Sequence, residues 1–366
     1  MSLYRLLSGL SADLSPYVIS LSNRGTIGKR IQDLGVPVET LGMKSGMPSP
    51  LMIFRLVQKL KKLKPDLVHT WMYHADLIGG ISARLAGVPA VTWGIRHSNL
   101  SPNRNKLSTL VVVKACSWLS RHIPDRILCC SKTARDIHVG VGYSAEKFSI
   151  IPNGIDISQY VPDAFSYKSV REELGLSVDS HLIGLISRFD SQKNHEGFIR
   201  AAGLLHARRP GVHFLLAGRG VDVENSELVG WIREQEVREV CHLLGQREDI
   251  PRLMSALDIL TSNSWGEAFP NVVVEAMACC TPCVVTDVGD SAYIVGDTGK
   301  VVLPGDDAAL VSAWETLLSL TNNVRIELGE KARERVAKNF ELDEVVKQYQ
   351  LFYEELIGLK IGKVHK

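Results

Sequence analysis

The sequence predicts an α/β protein built from two doubly wound, parallel-sheet domains facing a central cleft. Three observations carry that expectation. Short apolar runs alternate with helical patterns through both halves, the signature of parallel strands covered on both faces. Turn residues follow an apolar run at Ile151-Pro152-Asn153-Gly154-Ile155-Asp156 and mark a boundary. The 366 residues suit two domains of ordinary size, with 45% apolar and 22% charged residues. That composition excludes a disordered or fibrous chain.

In the first half, strands are expected at Tyr17–Leu21, Leu67–Thr70, Ala90–Trp93 and Arg126–Cys129. Helices are expected at Met1–Leu10, Ile27–Leu34, Pro50–Leu63, Ala75–Leu85 and Lys106–His122. In the second half, strands fall at His181–Ile186, Val212–Ala217, Cys241–Leu244, Ile259–Ser262 and Cys283–Thr286. The helices between them fall at Asn194–Ala207, Glu224–Val240, Ile250–Ala256 and Pro270–Ala278. Further helices run from Asp306 to about Leu359, and the basic tail Lys360–Lys366 reads as a frayed end. The expected division is 1–152, 153–340, and a C-terminal helix with tail at 341–366.

Charge is unevenly spread. Residues 1–160 carry 20 Lys and Arg against 9 Asp and Glu, whereas the remainder carries 22 against 31. The basic half suits an anionic partner: nucleic acid, phosphorylated lipid or a membrane surface. No apolar run approaches the roughly 20 residues of a membrane span, and Met1 opens no secretory signal. Seven irregularly spaced cysteines do not form a disulfide framework, which favours a reducing cytoplasmic setting.

The segment Trp265-Gly266-Glu267-Ala268-Phe269-Pro270-Asn271-Val272-Val273-Val274-Glu275-Ala276 carries the strongest chemical signal. Glu267 falls in a loop after a strand. Pro270 is placed at the first helical position, which spares a missing N–H, and Glu275 on the first turns. A helix start there favours a diphosphate. The acceptor-only carboxylates suit sugar hydroxyls at the two ends of a nucleotide sugar. The bland alternative is a pair of surface glutamates around a capped helix. Ser187-Arg188-Phe189-Asp190-Ser191-Gln192-Lys193-Asn194 ends another strand of the same half, and its two cations suit a departing pyrophosphate.

These segments resemble the family 4 retaining glycosyltransferases (GT4), whose two-domain architecture is the GT-B fold. The likeness spans nearly the whole chain. It rests on Ile151–Asp156, Ser187-Arg188-Phe189 with Lys193-Asn194, Phe214-Leu215-Leu216-Ala217-Gly218, Gly266–Ala278 and Thr281–Gly289. The resemblance implies that Glu267 sits by the donor sugar, Glu275 holds the ribose, and Arg188 and Lys193 hold the diphosphate. Backbone amides around Phe269 and Asn271 would contact the same groups. His97, in Trp93-Gly94-Ile95-Arg96-His97-Ser98, is the catalytic candidate from the first half, with Arg96 as the alternative aligned cation. His69 and His74 bracket the end of another strand and read as structural or acceptor-side residues.

No Asp-x-Asp occurs, so the expectation is a metal-free enzyme without a cofactor. Cys280-Thr281-Pro282-Cys283 is one C-x-x-C pair, too few ligands for zinc and read as packing. The implied activity is transfer of a hexosyl or N-acetylhexosaminyl group, with retention, from a nucleotide sugar, most simply a UDP-sugar. The implied acceptor is a glycan or a lipid-linked sugar in surface polysaccharide or glycolipid synthesis. An anionic membrane surface, rather than nucleic acid, is the expected further partner, giving a cytoplasmic protein peripheral to the inner face of the membrane. The alternatives are an epimerase-type GT-B enzyme and a catalytically impaired nucleotide-sugar-binding relative. The resemblance departs at the start: family members precede the first helix with a strand and a glycine-rich turn. The expectation is therefore a natural start further upstream, with good donor binding but poor transfer by the chain as written.

Overall fold

The computed structural model describes residues 2–43, 50–101 and 105–364. Met1 and the last residues of the basic tail, His365 and Lys366, lie outside them. The chain forms two compact units, Met1–Gly154 with Leu342–Lys366, and Ile155–Glu341.

The first unit contains α1 (Ser2–Gly9), β1 (Val18–Ser20), α2 (Gly25–Asp33), β2 (Val38–Thr40), α3 (Pro50–Leu63), β3 (Leu67–His69), α4 (Tyr73–Ala86), β4 (Ala90–Ile95), α5 (Leu107–Leu119), β5 (Arg126–Cys129), α6 (Lys132–Gly140) and β6 (Phe148–Ile150). Strands β3-β4-β5-β6 form a parallel sheet, and β1-β2 a separate parallel pair. All six residues of β4 are buried, which is why its sequence is predominantly apolar rather than alternating, with Thr92 its one polar side chain. Gly87, at φ +80°, ends α4 in the left-handed conformation that a Cβ disfavours. The Ser131 hydroxyl caps α6 by accepting the Ala134 N–H at 3.0 Å.

The second unit contains α7 (Ala164–Glu173), β7 (His181–Ile186), α8 (His195–His206), β8 (Val212–Ala217), α9 (Ser226–Glu234), β9 (Cys241–Leu243), α10 (Ile250–Ala256), β10 (Ile259–Ser262), α11 (Asn271–Ala278), β11 (Cys283–Thr286), α12 (Ser291–Val295), β12 (Gly299–Val302), α13 (Asp307–Leu318) and α14 (Asn322–Phe340). The last helix, α15 (Leu342–Val364), returns to the first unit, where Val345, Val346, Tyr349 and Tyr353 pack with Leu6, Leu128 and Ile151.

The six parallel strands of the second unit run β12-β11-β10-β7-β8-β9. Their core centres on Trp314, fully buried against Phe198 and Phe214, with its indole N–H donated to Thr261 Oγ1 at 2.9 Å. The chain builds outward from β7 to β9, then crosses to β10 and builds the other way. The switch point of this doubly wound sheet therefore lies between β7 and β10, where open α/β sheets bind ligands at the strands' C-terminal ends.

Two expectations change. The helix expected over Glu224–Val240 stops at Glu234, because Glu236 adopts φ +56° and Val237 turns in to be buried. Pro270 is the N-cap rather than the first helical residue, and α11 begins at Asn271.

Candidate functional site

The loops following the two switch-point strands, with helix α11 that continues the second, hold six of the seven residues expected to act. After β7 come Arg188, Phe189 and Asp190, then a short 3₁₀ turn at Ser191–Lys193. Asp190 caps that turn, accepting the Gln192 N–H at 2.9 Å, and its other carboxylate oxygen accepts the Arg188 guanidinium at 3.0 and 3.1 Å. Burial alone would raise the Asp190 carboxyl, but the Gln192 amide and Arg188 outweigh it and hold it below the ordinary carboxylate range. Arg188 itself is 55% exposed at the side chain, so its guanidinium remains accessible to a ligand.

After β10 come Asn263, Ser264, Trp265, Gly266 and Glu267. Lys193 Nζ donates to Glu267 Oε1, and Ser264 Oγ donates to the same oxygen at 2.7 Å. Only 18% of the lysine side chain and 12% of the glutamate side chain is exposed. Lys193 and Glu267, assigned on sequence to a diphosphate and a sugar, are thus direct partners in this state.

The surrounding backbone fixes that pair. Trp265 N–H donates to Gln192 O at 2.8 Å, and Asn263 Nδ2 to Asn194 O at 2.9 Å, tying the two loops together. Thr286 Oγ1, at the end of β11, donates to Ser264 O at 2.7 Å. Gly289, at φ +59°, lies under the loop: a Cβ there would stand 2.1 Å from Glu267 O. Asn194 is itself left-handed, at φ +52°, and caps α8 by accepting the Gly197 N–H at 3.2 Å.

Glu275 is the fifth residue of α11 and half-buried. Asn271 opens the helix, whose N-cap residue, Pro270, provides no side-chain cap. Phe269 is buried edge-on against Phe340, ring centroids 5.4 Å apart, so its ring is taken up in packing. Beside Ser187, His195 is buried with its Nε2 3.3 Å from the serine hydroxyl. Burial and then the Lys193 charge push it down to about 4, so it is a neutral imidazole at neutral pH.

His97 belongs to the first unit, two residues past β4 and half-buried. Its charge bears on His138, which burial pushes down to about 4. His138 Nδ1 donates to Ala134 O at 2.7 Å, leaving Nε2 to accept from Tyr73 OH at 2.9 Å. Arg96 takes a different path. It stacks on Trp71 at 4.5 Å, donates to Asn153 Oδ1 at 2.9 Å, and hydrogen-bonds Tyr349 on α15. These residues, with Arg5 and Leu342, line a small pocket in the first unit. His69 lies half-buried beside Trp71, with Nδ1 2.7 Å from Tyr353 OH. His74 is half-buried on α4.

Among the described residues no group of three His, Cys, Asp or Glu side chains is placed to hold a metal. Cys280 and Cys283 are both free thiols, and burial raises each.

Asp190, Asn263, Ser264 and Thr286 were not singled out on sequence. Asp190 and Asn194 had a readable signal, since each is a capping residue type just before a helical turn. Ser264 and Thr286 act through loop contacts that carry no spacing rule.

Fold and site together define a nucleotide-type ligand site on a doubly wound sheet, within a chain of two such units. A family profile described as Glycosyl transferases group 1 matches residues 180–320, and one described as Glycosyltransferase Family 4 matches residues 1–159. The chain belongs to the group 1, family 4 glycosyltransferases. It is 26% identical, over 83% of its length and 79% of the relative's, to UDP-Gal:alpha-D-GlcNAc-diphosphoundecaprenol alpha-1,3-galactosyltransferase of Escherichia coli. It is 29% identical, over 80% and 72%, to the D-inositol 3-phosphate glycosyltransferase of Corynebacterium jeikeium. Among solved structures, Anabaena Alr3699/HepE in complex with UDP and glucose matches with a TM-score of 0.84 at 22% identity, covering 97% of this chain and 95% of that one. The fold is GT-B.

Proposed function

We propose that the protein transfers a hexosyl or N-acetylhexosaminyl group, with retention, from a UDP-sugar to a glycan or lipid-linked acceptor, and that it uses no metal. The observation that carries this reading is the Lys193–Glu267 pair at the β7/β10 switch point. The donor diphosphate takes Lys193 and the exposed Arg188, with the start of α11 at Phe269–Asn271 beside it. Lys193 then no longer occupies Glu267, whose carboxylate accepts hydroxyl protons of the donor sugar. Ser264 keeps that carboxylate aimed. Glu275 accepts from the ribose hydroxyls. As the bond between the sugar and the diphosphate breaks, Arg188 and Lys193 stabilise the growing negative charge. His97 is the first unit's candidate for a catalytic role.

The names of the relatives support a UDP-sugar donor and, for the E. coli relative, a lipid-linked acceptor. The positive surplus of residues 1–160 supports work at an anionic membrane surface, on the cytoplasmic side. Surface polysaccharide or glycolipid synthesis is the process this describes.

The test combines donor binding with turnover. UDP-glucose, UDP-galactose and UDP-N-acetylglucosamine are screened for thermal stabilisation of the protein, and the best donor is assayed with a polyprenyl-diphosphate-linked sugar in excess EDTA. Transfer persists in EDTA. Glu267→Gln lowers kcat by about 100-fold, whereas Glu275→Ala mainly raises the donor KM. Stabilisation by no nucleotide sugar, or negligible effects of both substitutions, overturns the assignment. An epimer formed from donor alone establishes the epimerase reading instead.

A further inference from the structure

Residues 50–119 contain ten Lys and Arg but only two acidic residues, Asp66 and Asp76. Asp76 is fully buried. This stretch folds into α3, β3, α4, β4 and α5. The order β3-β4-β5 places the successive right-handed crossovers α4 and α5 on one face of the sheet. Helix α4 packs against both α3 and α5, so the three make one layer.

The outer face of that layer is apolar to an unusual degree. Leu51 and Phe54 on α3, Leu85 on α4, and Leu107, Val111 and Trp118 on α5 are each more than half exposed. On α5 the spacing Leu107, Val111, Lys114, Trp118 forms a single stripe. On α3 the exposed positions Leu51, Phe54, Arg55, Gln58, Lys61 and Lys62 share one side, opposite buried Leu56, Val57 and Leu60. Arg55, Lys61, Lys62 and Lys114 make no ion pair among the described residues. An ordinary solvated helix face does not hold Trp118 at 74% exposure beside cations without an ion-pair partner, and the one exposed acid of the stretch, Asp66, falls between α3 and β3 rather than on the helices.

We infer that the outer face of α3, α4 and α5 seats the protein on an anionic lipid bilayer. The chemistry is that of an interfacial surface: aromatic and aliphatic side chains enter the headgroup boundary, and Lys and Arg meet the anionic lipid phosphates. No helix of the described residues is long and apolar enough to cross a membrane, so this contact lies on the surface. The inference deepens the lipid-linked reading of the acceptor and rests on it for its biological sense. The surface would hold the acceptor domain where a membrane-borne substrate is presented.

The experiment is co-flotation of the full chain with phosphatidylglycerol–phosphatidylcholine vesicles and with pure phosphatidylcholine vesicles, without donor. The wild-type protein floats with the anionic vesicles, and less so as salt shortens the Debye length from about 30 Å at 0.01 M to about 8 Å at 0.15 M. Phe54→Ser with Trp118→Ser weakens binding at least about tenfold. Lys61→Gln, Lys62→Gln and Lys114→Gln weaken it by about fivefold each. All these positions are exposed, and thermal stabilisation by a UDP-sugar reports that the variants stay folded. Equal flotation of wild type and variants overturns the inference. So does self-association in sedimentation that the Phe54 and Trp118 substitutions abolish, because the face then belongs to a second copy. If vesicles bind while no nucleotide sugar stabilises the protein, the transferase reading falls and the surface stands.

Discussion

Gly289 supports the candidate site from below. At φ +59° it occupies a conformation that costs any other residue about 1 kcal/mol or more, and a Cβ would also stand 2.1 Å from Glu267 O and 2.9 Å from Ala268 O. Backbone oxygens in a loop tied to β7 and β11 cannot swing aside as a side chain can. Gly289→Ala therefore moves Glu267 and is expected to lower kcat by about tenfold or more, with a stability loss of about 1–3 kcal/mol. Gly87→Ala is the control: its φ is +80°, but nothing lies within 4 Å of its added methyl. It should lower Tm while leaving steady-state kinetics unchanged. A full-speed Gly289→Ala enzyme would show that the loop position is not critical. At this scale the sequence was informative about residue type. Glu267, Arg188 and Lys193 stood out because charged side chains in loops after apolar strands carry few structural duties, and Glu275 because it follows on the first turns of the helix. Their mutual pairing was not readable, since the Lys193–Glu267 contact spans 74 positions and depends on how two loops cross.

The elements divide by the same physics. Buried parallel strands such as β7, β8, β10 and β11 announce themselves as short, largely apolar runs, and each was legible with its bounds. The pairs β2 and β6 are three residues long and partly exposed, too short for a pattern to emerge. Helix α7 was missed for a different reason: its buried positions are Ser166, Val170 and Arg171, of which only one is apolar. Arg171 holds this helix to the sheet. It donates to Asp258 Oδ2 at 2.7 Å, Ala256 O at 2.8 Å and Ser180 O at 3.1 Å, with its guanidinium over the Tyr167 ring. Asp258 Oδ2 also accepts the Leu182 N–H at 2.8 Å, joining α7 to the start of β7 and β10. The two side chains are 1% and 3% exposed, so removing Arg171 strands Asp258 Oδ2, with Arg325, 3.8 Å from Oδ1, as the carboxylate's remaining arginine. Arg171→Met should cost about 3–5 kcal/mol, and Arg171→Met with Asp258→Asn distinctly less, because the second change removes the stranded carboxylate. Chemical denaturation of the three proteins measures this. Equal losses in the single and double variants would mean that lost packing, not charge, sets the cost.

For the whole molecule, acid acts unequally on the two units. Burial pushes His69 down to about 3 and His138 to about 4 in the first unit, and His195 and His242 to about 4 in the second. An unfolded histidine binds its proton near pH 6.5. Between about pH 4 and 6.5 the unfolded chain thus holds more protons than the folded one, and stability falls as pH falls. Asp76 in the first unit acts oppositely. Burial raises it to about 7, against Thr70 and the Gly94 amide, so the folded state holds a proton that the unfolded chain loses near pH 4. Over the same window Asp76 therefore gains stability as pH falls and offsets one histidine. The first unit is left with a net one proton and the second with two, to which His213, also lowered by burial, adds in the same direction. At about 1.4 kcal/mol per proton per pH unit, acid should weaken the second unit about twice as steeply. Below about pH 4 the divergence grows, because hydrogen bonds from Arg247 hold Asp249 of the second unit near 2, and that stabilisation is lost as the carboxyl protonates. Amide hydrogen exchange at about pH 7.5 and about pH 5, corrected for intrinsic rates, tests this. Core amides of β7, β8 and β10 should lose more protection than those of β4 and β5. If the first unit's strands open first, Asp76 is ionised in the folded state and the buried histidines of the two units are not equivalent.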